Sequence, residues 1–113
     1  MPNIDRLMIE SGPEVYYTAA FRRVLEDHLT YLRDHDRTTV LDVEPSDAVK
    51  YQHDLQGLLL KYRIPTHHHW LVMRLNGMTS PTEMDDTHLR LMIPPQDAVD
   101  RIRQLHNTLQ TIN

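Results

Sequence analysis

The chain has no cysteine. Disulfides, thiolate nucleophiles and cysteine zinc sites are therefore excluded, and the composition fits assembly in a reducing cytoplasm. Glycine is scarce, with three scattered residues, so no glycine-rich phosphate loop can form. No apolar run approaches the roughly 20 residues that span a bilayer. The opening stretch, MPNIDRLMIESGPE, carries charge throughout and lacks the apolar segment of a signal peptide. Neither export by such a signal nor membrane insertion is expected. A basic excess is also missing: Lys and Arg number 12 against 16 Asp and Glu, for a formal net charge of −4. The overall field does not favour nucleic acid, and none is expected as a partner.

What is present fits one domain of 113 residues. Residues 1–13, with two prolines and a glycine, read as an irregular arm. Either it frays or it orders on a partner through Ile4, Leu7, Met8 and Ile9. Pro13 suits a helix start, and Tyr17, Phe21, Val24, Leu25, His28, Leu29 and Leu32 keep helical spacing over 14–34. The run DHDR at 34–37 ends that helix.

TTVLDVEP, residues 38–45, is β-branched and alternating, with Leu41 and Val43 on one side. Ser46 or Asp47 suits the cap of a helix over 47–62. Gly57 inside it implies close approach of another backbone. Pro65 breaks that helix. Thr66 suits the cap of a third helix over 67–76, which Asn76-Gly77 stops through tolerance of positive φ. MTSPTEMDD is turn material. THLRLMIP, residues 87–94, alternates and is expected to pair antiparallel with 39–44. An amphipathic helix over 96–111 follows, with Ala98, Ile102, Leu105, Leu109 and Ile112 on its apolar stripe. The fold class is α+β. Its two-stranded sheet needs helices packed on it. The flanking helices find cover on this core or on other chains.

Local motifs for chemistry are sparse. The chain has eight histidines, yet no two share the i,i+3 or i,i+4 spacing of a helical metal pair. His67, His68 and His69 are consecutive and fan out. Only a mixed site with Asp85 or Asp86 is conceivable, and neither metal nor cofactor is expected. Glu83, Asp85 and Asp86 fall in a polar turn rather than a cleft. No nucleophile motif is present, so an enzyme is not expected. Trp70 reads first as a core anchor and second as a partner contact.

The segment 38–95 resembles a LysM domain, a β-α-α-β unit. VLDVEPSDA is similar to its first strand and helix start. VKYQHDLQGLLLKY is similar to its first helix, and RIPTHHHWLVMRLNG to its second. HLRLMIPP is similar to its closing strand. The most specific pieces are Leu75-Asn76 and Leu91-Met92-Ile93-Pro94. Ser46 stands where glycine is common, and no glycine precedes the closing strand. Tyr62, His69-Trp70-Leu71-Val72 and Asn76 further resemble the small LysM-bearing wedge proteins in baseplates of contractile-tailed phages and related injection machines.

The resemblance implies an arm (1–13), a flanking helix (14–37), a LysM-like module (38–95) and a C-terminal helix (96–113). It implies a structural virion protein of the tail or baseplate, assembled in the host cytoplasm in several copies among other tail proteins, with no catalytic residues. Trp70, Leu75, Asn76, Leu91 and Ile93 then belong to the module. Ile4, Leu7, Met8, Ile102, Leu105 and Leu109 are the expected partner contacts. The alternative is a module binding peptidoglycan or N-acetyl sugars in a groove between the turns at 45–47 and 74–79.

Overall fold

The computed structural model describes residues 14–112, with side chains to residue 108. The arm, including Ile4, Leu7 and Met8, and the Leu109 side chain lie outside the described residues. A 3-10 turn at Glu14–Tyr17 leads into α1 (Ala19–Asp27). Thr18 caps α1: its backbone is extended and its hydroxyl accepts the Phe21 N–H at 3.3 Å. His28 separates α1 from α2 (Leu29–Arg33), and its Nδ1 donates to the Val24 carbonyl at 2.8 Å. One helix over 14–34 is thus replaced by a turn and two helices. Thr18 and His28 make local hydrogen bonds that compete with the helical ladder.

β1 (Thr39–Asp42) and β2 (Arg90–Ile93) pair antiparallel, with Thr39 opposite Ile93 and Asp42 opposite Arg90. They form the two-stranded sheet of a mixed helix-and-strand fold. The strands are shorter than the sequence suggested. One further bond, Val43 N–H to the Leu89 carbonyl at 2.8 Å, extends the pairing. Pro45 then opens α3 (Pro45–Lys50) at its first position. Glu44 is the cap residue and makes no side-chain bond there, so neither Ser46 nor Asp47 caps.

The expected helix over 47–62 is two helices, α3 and α4 (Leu55–Lys61). Between them His53 sits at φ 65°. Its N–H donates to the Met84 carbonyl at 2.6 Å and its Nδ1 to the Thr82 carbonyl at 2.9 Å. A distant loop therefore holds the break open. Asp54 restarts the helix by accepting the Gly57 N–H at 3.0 Å. A Cβ on Gly57 would meet Asp54 Cγ at 2.9 Å and the Tyr51 ring at 3.0 Å. Side chains, rather than the backbone approach expected from the sequence, require glycine there.

A 3-10 turn at Thr66–His68 precedes α5 (His69–Leu75), and Thr66 makes no capping bond. α5 ends when Gly77 adopts φ 81°. The Gly77 N–H then reaches the Arg74 carbonyl and the Met78 N–H the Met73 carbonyl, each at 3.0 Å. Asn76 itself keeps negative φ. α6 (Gln96–Ile112) closes the chain.

α5 is the shared wall of two cores. Val72 and Met73 join Val43, Leu58, Leu59, Met84 and Leu91 under the sheet. Leu71 and Leu75 join Phe21, Leu25, Leu32, Val99 and Ile102 from the flanking helices. Trp70 packs against both. The flanking helices thus find their cover on the chain's own centre, and each fully buried leucine or phenylalanine there contributes about 2 kcal/mol.

Candidate functional site

Of the residues expected to form the module, Leu75 and Asn76 lie at the end of α5, Leu91 and Ile93 on β2, and Trp70 in the first turn of α5. Asn76 Oδ1 accepts the Met92 N–H at 2.7 Å, and its Nδ2 donates to the Met92 carbonyl at 3.0 Å. The same Nδ2 bonds the Val72 carbonyl at 2.8 Å. A primary amide with one acceptor and two donors matches a strand's exposed N–H and C=O. Asn76 therefore extends the sheet by a side chain and locks β2 to α5. Leu75 and Leu91 are fully buried on either side, and Ile93 is half-buried against the sheet core.

A second polar cluster fixes the start of α3 to the end of α4. Asp47 is buried and accepts from Lys61 Nζ and, at 2.8 Å, from Tyr62 Oη. Tyr62 Oη in turn accepts the Glu44 N–H at 3.0 Å. The bonds from Lys61 and then Tyr62 hold the Asp47 carboxyl below its usual range. The sequence offered Asp47 only as a cap. A tyrosine fifteen residues downstream gave no local signal of this partnership.

The histidine run lies at the joint between the Glu14–Tyr17 turn and α6. Tyr16 is buried and donates to Asp100 at 2.8 Å. Burial, reinforced by Asp100, pushes its phenol pKa up. The His67 and His68 rings lie 4.7 and 5.4 Å from the Tyr16 ring. His68 is 4% exposed, and its Nε2 is buried without a hydrogen-bond partner among the described residues. Burial pushes its pKa down to about 4. His67 and His69 are lowered too, again chiefly by burial. His69 is buried and bonds the Ile64 carbonyl through Nε2 at 2.8 Å. No group of three or more His, Asp or Glu that could hold a metal occurs among the described residues. His88 instead pairs with Asp85 at 3.0 Å.

One groove opens beside this joint. It encloses about 410 Å³ between α1, α4, α5 and the loop at 79–81, and Arg22, Gln56, Thr66, Trp70 and Thr79 are among its lining residues. Trp70 lies in its wall, half-buried, under the Arg22 guanidinium, whose carbon is 5.3 Å from the indole centroid. This feature was not legible in the sequence, because Arg22 falls on the polar side of a helix far from Trp70.

Of the expected partner contacts on α6, Leu105 is 60% exposed. Ile102 is corrected: it is 7% exposed and belongs to the core formed with Phe21, Leu71 and Val99. No described helix is long and apolar enough to cross a membrane. No known family, curated protein or solved structure matches the chain.

Proposed function

We propose that the chain is a structural component of a phage tail or baseplate, or of a related contractile injection machine. Its centre is read as a LysM-like module that, with the flanking helices and arm, joins neighbouring tail proteins. The observation that carries this reading is the Asn76–Met92 clamp. It ties together Leu75-Asn76 and Leu91-Met92-Ile93-Pro94, the two most specific pieces of the resemblance. The chain's other features fit a scaffold. Its polar clusters satisfy backbone groups and close turns, and Leu105 leaves apolar surface on α6 for a neighbour.

The test is co-expression with any tube, sheath or baseplate proteins that its own genome encodes, followed by size exclusion. Co-elution in a stoichiometric complex supports the assignment. Elution of the chain alone from every such mixture would overturn it.

A further inference from the structure

We propose that the groove between α1 and α5 is a docking site for an acidic peptide segment of a partner chain, gripped through a carboxylate by Arg22 stacked on Trp70. The inference rests on the assembly reading above only in taking a polypeptide as the occupant.

The argument starts from charge. The chain carries 16 acidic residues, yet none of the described residues lining this groove is Asp or Glu. A second cleft differs: Asp97 and Asp100 line it together with Arg37 and Arg101. Arg22 Nε is buried with no hydrogen-bond partner among the described residues. The neighbouring Arg74, by contrast, is bonded to Glu26 and to the Met78 carbonyl. Glu83, the carboxylate at the rim, is taken up by Thr79 and Ser80, so a half-buried cation on the described lining is complementary to an anion brought from outside.

Geometry narrows the anion. A guanidinium stacked on an indole uses its face for the ring and keeps its N–H donors in the plane, along its edge. That edge matches the two oxygens of one carboxylate. The stack also holds Arg22 in place, so less side-chain freedom is lost on binding. Gln56 and Thr66 supply an amide and a hydroxyl around the rim for a peptide backbone, and Leu55 and Met73 add apolar wall. About 410 Å³ lies within the ordinary size of ligand pockets. A segment seated there touches α1, α4 and α5 together and so bridges flanking helix and centre.

Trp70 is the only tryptophan, so its emission reports on the groove. The full chain is titrated with the blocked peptide acetyl-Gly-Glu-Leu-Glu-Gly-amide and with its Gln-for-Glu counterpart. The expected result is a saturable change in emission with the acidic peptide, about tenfold weaker for the Gln peptide. Arg22→Gln should weaken it to the same degree and Arg22→Lys in part, while Arg23→Gln on the exposed side leaves it unchanged. Circular dichroism and a melting curve establish that each variant is folded. Equal response to both peptides, an Arg22→Gln titration matching the parent chain, or equal loss in Arg23→Gln would each overturn the proposal. A chain that co-elutes with tail proteins but ignores the acidic peptide would sink the groove alone. A chain that binds the peptide but joins no assembly would sink the assembly reading alone.

Discussion

The amide of Asn76 satisfies both backbone polar groups of Met92, at 2.7 and 3.0 Å, across sixteen residues of sequence. A side chain does here what a third strand would do. Asn76→Ala leaves the Met92 N–H and C=O half-buried and unpaired, a loss of roughly 2–4 kcal/mol for two such groups. Asn76→Asp keeps the acceptor but sets a carboxylate oxygen against the Val72 and Met92 carbonyls, so it should cost at least as much near neutral pH. Urea unfolding with an unchanged slope would measure both, and an Asn76→Ala midpoint equal to the parent's would refute the clamp.

Acid should loosen the joint around His68. Its pKa is near 4 in the folded chain against an ordinary 6.5, so the unfolded chain takes up a proton first as pH falls. Stability is intact above pH 6.5 and declines toward pH 4, by on the order of 3 kcal/mol when complete. His67 and His69, also lowered by burial, act in the same direction. Asp100 faces the cluster and favours the charged form, which His68 nevertheless avoids because burial dominates. Melting temperatures of the parent and His68→Gln should diverge between pH 7 and 4.5, with the variant less sensitive. An imidazole titration placing His68 above 6 would contradict this.

Gly57 should reverse the usual rule for helical glycine. Gly→Ala ordinarily gains up to about 1 kcal/mol in a helix. At this position the new methyl meets the Asp54 carboxylate that caps α4. Gly57→Ala should therefore destabilise the parent chain. In an Asp54→Ala background the same change should be milder, because the crowded partner is gone. A double-mutant cycle reads the difference, and simple additivity would rule out this explanation.

Phe21 has no exposed surface, and its ring edge packs on Tyr16 at 5.3 Å between centroids. Phe21→Ala should cost about 3–5 kcal/mol. A loss near zero in a thermal or urea melt would mean that the flanking helix is merely appended.

Insoluble peptidoglycan should not retain the chain. Arg74, at one of the two turns that would border a sugar groove, reaches back to Glu26 of α1. Asp47, at the other, is engaged by Lys61 and Tyr62. Retention that N-acetylglucosamine oligomers compete away would favour the sugar-binding alternative.

The alternating strands and the order of helices could be read from sequence because β-branched alternation and three-to-four spacing act locally. The breaks could not. His53 is turned into positive φ by carbonyls at 82 and 84, thirty residues away in a stretch that reads as mere turn. Met78 and Met84 in that stretch are both buried, yet two methionines six apart among polar residues have no periodicity to betray them. Val99 was passed over in favour of Leu105, although Val99 is buried and Leu105 exposed. A wide apolar face on α6 leaves its rotation to tertiary packing. At the candidate site, the sequence marks Asn76 only as a helix stop, and its bonds to Met92 come from a strand sixteen residues on. Arg22 over Trp70 was not legible, because nothing in the sequence relates the two.

α5 is buried on two sides: Leu71 and Leu75 look toward the flanking helices while Val72 and Met73 look toward the sheet. An excised piece spanning 38–95 would bare Leu71 and Leu75 and should aggregate rather than fold. The amide hydrogens of α5 in the whole chain should then exchange with heavy water slowest of all, released only when the entire molecule opens.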